Sequence, residues 1–281
     1  MQETILLVGH GSRHAPGNEE ITAFAQRWQR QMPEWHIEVC FIELAEVLLD
    51  EGLEKAAKQA ERVIVVPLIL NAAGHVKAEI PEYIAAARRQ YPQTEFIYMP
   101  PLGACDAIFS ILKRRLQQAM RDLDHPDPTR TGVILLGRGS SDPMANGDVA
   151  KIARWLQEST EHRHMIDIAF TGITYPRLET VVQQQVRLGM MQLIILPYYL
   201  FTGVLIERIQ RQVQHLKQQY PQIRFSCGDY FGFEDEIFML VSQRVTQADT
   251  PEHHMPCDGC PHKAASDHTH HHDHHHSHHQ H

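Results

Sequence analysis

Two histidines stand where a parallel α/β chain does its chemistry. His10 follows the apolar run Thr4-Ile-Leu-Leu-Val8, within Gly9-His10-Gly11-Ser12-Arg13. His75 follows Val63-Ile-Val-Val-Pro67-Leu-Ile-Leu70, within Asn71-Ala72-Ala73-Gly74-His75. Neutral imidazole is the commonest metal ligand and a base near neutral pH. Ligands of parallel sheets bind outside the carboxyl ends of the strands, so these two side chains can point into one crevice although 65 residues separate them. Gly9, Gly11 and Gly74 leave room for a bulky, flat ligand to approach the backbone. Ser12 and the N–H groups of a following helix N-terminus offer a place for carboxylates. A single loop histidine is usually ordinary; a pair at matching strand ends favours function.

The elements that must position them are repeated. Gly132-Val-Ile-Leu-Leu-Gly137-Arg138-Gly139-Ser140 echoes the first motif, 128 residues on. Leu193-Ile-Ile-Leu-Pro197-Tyr-Tyr-Leu200, then Gly203-Val204, echoes the second at 129 to 130 residues. Tyr91-Pro92 and Gly103 recur as Tyr220-Pro221 and Gly232 at 129. A period this long is a domain duplication, since solenoid repeats run at roughly 20 to 50 residues. Arg138 and Val204 stand in the histidine places, so the first copy is equipped for metal chemistry and the second is not.

Each copy alternates apolar strands with amphipathic helices. Strands are expected at 4–8, 37–42, 63–70 and 94–99, then 132–136, 165–170, 193–200 and 223–227. Helices are expected near 16–31, 47–60, 77–90 and 104–122, then 143–158, 177–190, 204–219 and 234–246. This order implies α/β domains, each with a four-stranded parallel sheet covered by helices on both faces. Pro16 and Pro143 suit helix starts, where the missing N–H costs nothing. Pro126 and Pro128 mark a linker. The expected division is 1–125, 126–247 and a tail of 248–281. Each of the first two is long enough to bury its own core.

Composition excludes several classes. A net charge of −8 argues against a nucleic-acid binder. No apolar run approaches the roughly 20 residues of a spanning helix, and the N-terminus has no signal-peptide pattern. The expectation is a cytoplasmic protein without membrane partners. Cys40, Cys105 and Cys227 occur singly in or beside core elements and read as buried small hydrophobes. No Gly-x-x-x-x-Gly-Lys run is present to bind a nucleotide.

Val8-Gly-His10-Gly-Ser12-Arg13, taken with Pro67-Leu-Ile-Leu70-Asn-Ala-Ala-Gly-His75-Val-Lys-Ala-Glu79-Ile-Pro81, resembles the CbiX family of sirohydrochlorin cobaltochelatases and the related sirohaem ferrochelatases. The resemblance spans residues 3 to 245 and implies two tandem chelatase-like domains, the fused form of a short chain that dimerises in archaeal relatives. It therefore implies a monomer. By resemblance His10 is proton acceptor and metal ligand, and His75 is the second ligand. Glu46 is a substrate-contacting acid, and Leu70, Asn71, Ala72, Ala73, Gly74 and His75 line the tetrapyrrole. Glu43, in Phe41-Ile-Glu43-Leu-Ala-Glu46, either assists or is a polar strand-end residue. Glu79 stands where Asp is common before Ile-Pro; it assists or is solvated, as Lys77 is. Arg13 and Arg138 are candidates to meet substrate carboxylates, with ordinary surface arginines as the alternative.

Inserting a divalent ion into a tetrapyrrole removes two pyrrole protons and strips water from the metal. Two histidines and an acid can divide that work. Co²⁺ is the expected substrate metal, with Fe²⁺ as the alternative, because imidazole accepts both. The tail holds Met255-Pro-Cys257-Asp-Gly-Cys260 and thirteen histidines from Asp249 onward. In the long members of the family this cysteine motif is associated with an iron–sulfur centre. Two thiolates also suit zinc with His254 or His262, or remain free. The low hydrophobicity of the tail predicts disorder in isolation. A rival reading makes the tail the active part of a metal-storage or metallochaperone protein. A regulatory pseudoenzyme is disfavoured because the first copy keeps both histidines.

Overall fold

A computed structural model describes residues 3–256 and Asp258. All eight expected strands and all eight expected helices are present. The first half runs β1 (Glu3–Gly9), α1 (Ala15–Gln31), β2 (Ile37–Phe41), α2 (Leu49–Gln59), β3 (Arg62–Pro67), α3 (Ile80–Gln90), β4 (Glu95–Tyr98) and α4 (Asp106–Asp122). The second runs β5 (Thr131–Gly137), α5 (Pro143–Ser159), β6 (Met165–Phe170), α6 (Leu178–Arg187), β7 (Gln192–Pro197), α7 (Val204–Gln219), β8 (Arg224–Cys227) and α8 (Asp235–Thr246). Both sheets are parallel and have the same order, β2-β1-β3-β4 and β6-β5-β7-β8. The register repeats as well, since Gly9 pairs with Phe41 and Gly137 with Phe170.

Local sequence accounts for these elements. In α1 the buried Ile21, Phe24, Ala25 and Trp28 follow the i, i+3, i+4, i+7 spacing of one helix face. Strands β3 and β7 end at Pro67 and Pro197, three residues before the apolar runs do. Proline ends the pairing because it has no N–H to give the ladder. The remaining apolar residues form the loops that approach the site. Before α3 the chain makes one wide π turn, His75–Glu79, closed by Ile80 N–H to the His75 carbonyl. Pro81 cannot donate to the Lys77 carbonyl and its ring crowds it; the wider turn relieves that conflict.

The halves do not bury separate cores. One cluster includes Ile5 and Leu7 of the first sheet, Val133 and Leu135 of the second, and the inward faces of α1, α4, α5 and α8. Those four helices form a shared middle layer, in which Phe24 stacks on Phe238 at 4.1 Å and Trp28 Nε1 donates to Ser242 Oγ at 2.9 Å. Smaller clusters lie under α2 and α3 on one outer face and under α6 and α7 on the other. Each half is amphipathic on its inner side, so fusion gives one continuous interior instead of the expected two.

The expected tail also begins late. Residues 249–256 and Asp258 pack on the first half. Met255 is buried in the core under α2 and α3, and its N–H donates to the Tyr98 carbonyl at 2.8 Å, covering the edge strand β4. Arg88 holds both oxygens of Asp258 at 2.7 Å, and Arg62 reaches Asp249 at 2.6 Å. Low local hydrophobicity predicted disorder here because it ignores a single buried methionine and paired charges. Cys257, Cys260 and most of the polyhistidine run lie outside the described residues.

Candidate metal centre and substrate cleft

The loops after β1, β2 and β3 converge at the carboxyl end of the first sheet. They bring His10, Glu43 and His75 together, with one ligand atom from each lying within 4.8 Å of the others. The two imidazoles meet edge to face, with ring centroids 4.8 Å apart and planes at 81°. His10 Nδ1 is 3.1 Å from the Gly11 carbonyl and 3.7 Å from Glu43 Oε1, while Arg138 Nη1 donates to His10 Nε2 at 3.3 Å. The tautomer that satisfies both neighbours carries its proton on Nδ1. His75 Nδ1 lies 2.5 Å from Glu79 Oε2, one turn along the helix. A carboxylate on the far ring nitrogen fixes an imidazole for ligation through the other.

Backbone geometry makes the approach of the first two loops possible. Gly11 has φ +89°, and a Cβ there would stand 1.7 Å from the Glu43 carbonyl oxygen. Only glycine fits, and Glu43 N–H then donates to the His10 carbonyl at 3.1 Å. Burial holds His10 below its ordinary value of 6.5. The Gly11 carbonyl opposes that shift, and the Arg138 and His75 charges add to it. His10 therefore stays neutral, as a ligand must.

These groups line a cleft of about 800 Å³ between the two halves. The first half contributes Ser12, Leu70, Asn71, Ala73, Gly74 and Glu79 to its walls. The second half contributes Arg138, Tyr198, Tyr199 and Val204. Asn71 Nδ2 donates to the Ala145 carbonyl at 3.1 Å, and Tyr198 OH to Asn71 Oδ1 at 3.4 Å. Lys77 Nζ pairs with Asp142 Oδ2 at 2.5 Å across the halves.

The structure gathers most, not all, of the residues singled out in the sequence. His10, His75, Glu43, Glu79 and Arg138 line the cleft together. Ala72 is the exception in its loop and packs on the outer core. Glu46 is exposed outside the cleft lining, because the chain turns back there so that Phe41 N–H can reach the Val47 carbonyl at 3.0 Å. Arg13 is exposed and also outside the lining. Glu43 is a full member of the cluster, where sequence left it at even odds. Its signal was available in the repeat: the register places Gly172 opposite Glu43, so all three ligand positions, now Arg138, Gly172 and Val204, are lost together. The Lys77–Asp142 bridge has no such signal.

Comparison with known proteins agrees with this geometry. The family model CbiX matches residues 4–119 and again 132–248. The chain is 38% identical over 264 residues to a sirohydrochlorin cobaltochelatase of Priestia megaterium, covering 93% of this chain and 85% of the relative. It is 33% identical to a sirohydrochlorin ferrochelatase of the same organism, covering 86% and 89%. The solved structure of SirB from Bacillus subtilis with Fe³⁺ superposes with a TM-score of 0.75 at 32% identity, over 90% of this chain and 97% of that one. With both halves matched, the chain belongs to the CbiX family.

Proposed function

We propose that this protein is a sirohydrochlorin cobaltochelatase, which inserts Co²⁺ into the tetrapyrrole and releases two protons. The observation that carries the reading is the convergence of His10, Glu43 and His75 within 4.8 Å on the wall of a cleft. Two imidazoles and one carboxylate leave coordination positions open on a divalent ion, as insertion requires. His75, oriented by Glu79, and Glu43 hold the ion as it sheds water. His10 Nε2 is the base for a pyrrole N–H when it is not itself a ligand; otherwise a carboxylate of the cluster takes that proton. No redox step or nucleotide enters this scheme. Fe²⁺ insertion is the alternative, because the same ligands accept it and relatives named for each metal are similar to the chain.

Finer assignments follow from this reading. Leu70, Asn71, Ala73 and Gly74 contact the macrocycle, and Arg138 meets one of its carboxylates. One chain is sufficient, because both walls of the cleft come from it. Cys257 and Cys260 are a thiolate pair suited to zinc or an iron–sulfur centre, and the polyhistidine run holds spare metal. Cys40, Cys105 and Cys227 are free thiols, which supports a reducing, cytoplasmic setting. Among the described residues no helix is long and apolar enough to cross a membrane.

The test is anaerobic metal insertion into sirohydrochlorin followed by absorbance, with Co²⁺ and Fe²⁺ in parallel, for the intact chain and for His10→Ala, Glu43→Ala and His75→Ala. Turnover that falls to the uncatalysed rate in the variants supports the site, and the faster metal ranks the two activities. An intact chain no faster than solution would overturn the reading and leave metal storage by the tail in its place.

A further inference from the structure

The two halves differ in every metal ligand, yet they keep one costly feature in common. Leu44 follows Glu43 after β2, and Ile173 follows Gly172 after β6. Their equivalence is set by the strand register and by matching bonds, Glu43 N–H to the His10 carbonyl at 3.1 Å and Gly172 N–H to the Arg138 carbonyl at 3.0 Å. Both residues have left-handed backbone, φ +57° at Leu44 and +62° at Ile173. A branched side chain at positive φ is a conformational outlier, most of all for isoleucine. At Ile173 the turn is tighter still, closed by Thr174 N–H to the Gly172 carbonyl at 2.6 Å.

The same brace holds both tips. Gly139 has φ +88°, nearly that of Gly11, and a Cβ there would stand 2.2 Å from the Gly172 carbonyl oxygen. The second half has thus kept the glycine, the close loop approach and the strained apolar tip, although no metal ligand remains on it. Folding gains little from these tips, since Leu44 is 46% exposed and Ile173 58% exposed. Both exposed side chains line the cleft. Strain of this kind persists where the surroundings over-determine it, and it gathers at ligand clamps.

We propose that Leu44 and Ile173 are paired apolar jaws that hold the tetrapyrrole ring, one from each half, so the second copy has given up metal ligation and retained ring binding. The inference rests on the chelatase reading and adds residues to its substrate site. A flat apolar ring covers the surface that each tip leaves in water.

The test uses the full chain, with Leu44→Asn and Ile173→Asn, and with Met239→Gln as control; Met239 is 71% exposed on α8, outside the cleft. Asparagine tolerates positive φ and removes the apolar contact. Affinity for metal-free sirohydrochlorin, read by tryptophan quenching, is expected to fall roughly tenfold for each jaw variant, the value for covering about half of one such side chain. Co²⁺ affinity and the control should not change. The melting temperature should hold or rise in the jaw variants, because strain is relieved. Weaker ring binding alongside unchanged or higher stability is a combination that a purely structural role would not produce. If the jaw variants bind the ring as tightly as the intact chain, or melt lower in proportion to their loss of binding, the jaws are refuted and the chelatase reading stands. If the intact chain fails to bind the ring, both fall.

Discussion

Arg138 should act on metal and macrocycle in opposite directions, and the structure gives the size of the first effect. Its guanidinium is 3.3 Å from His10 Nε2. An ion on that nitrogen at roughly 2 Å would lie about 5 Å from the arginine charge. Arg138 is exposed, so the dielectric of water applies. A doubly charged ion and a single charge then repel by about 1.7 kcal/mol, roughly 15-fold in affinity. Arg138→Met should therefore tighten Co²⁺ binding by about that factor at low salt, and by less at physiological ionic strength. It should weaken sirohydrochlorin binding, because a carboxylate partner is gone. Equilibrium dialysis of Co²⁺ against the apo chain at two salt concentrations measures the first effect. The pH dependence gives a second check. His10 lies below 6.5 chiefly through burial, with Arg138 as a further cause. Stability and metal binding linked to neutral His10 are full above 6.5 and fade as pH falls through the lowered folded value. Removing Arg138 moves that acid limb to higher pH. Unchanged or weaker Co²⁺ affinity with an unmoved limb would refute the argument, since the charge would then not face the ion.

Three other substitutions test the remaining architecture. Glu43→Gln keeps the shape of the site and removes its carboxylate, so Co²⁺ affinity measured by calorimetry should fall at least tenfold while macrocycle binding holds. Truncation after Ala248 removes buried Met255 and the paired Asp258; stability to urea should drop by about 2–4 kcal/mol, although insertion with ample metal continues. Lys77→Met breaks the inter-half bridge to Asp142, a loss of about 1 kcal/mol for a half-buried pair. The Lys77 hydrogen bond is the main cause holding Asp142 below its ordinary 3.8, so its contribution is present above that value and lost as pH falls through the folded one. The variant should show a shallower acid limb in urea melts.

Much of this molecule could be read from the chain because its signals were local and occurred twice. Strand ends at His10 and His75, helix faces such as Ile21 to Trp28, and the constant offset between copies depend on neighbours or on period. What was missed depends on contacts at long range. The shared middle layer requires knowing that α1 meets α8, with Phe24 on Phe238. The ordered start of the tail depends on Met255 finding β4, and the Lys77–Asp142 bridge joins loops 65 residues apart. The left-handed tips at Leu44 and Ile173 carry no composition signal, because neither residue type favours positive φ. The equal weight given to Glu43 and to a polar strand-end residue came from reading one copy; Gly172 opposite it distinguishes them.

Loss of all three ligands in the second copy follows from what a single cleft can use. One macrocycle takes one ion. A second His–Glu–His cluster on the facing wall would draw another divalent cation toward the first, and the two would repel across a site opened to one ring. A symmetric dimer cannot escape that arrangement, because both walls come from the same sequence. A fused chain can. Arg138 places a fixed positive charge where a ligand stood, Gly172 removes the carboxylate, and Val204 gives the ring an apolar contact in place of an imidazole. The backbone brace survives because its work, holding Ile173 into the cleft opposite Leu44, concerns the ring and not the metal. Returning histidine at Arg138 and Val204 and glutamate at Gly172 should therefore create a second cobalt site of measurable stoichiometry and slow the insertion reaction. A doubled stoichiometry with undiminished turnover would show that competition between the walls is not what the asymmetry relieves.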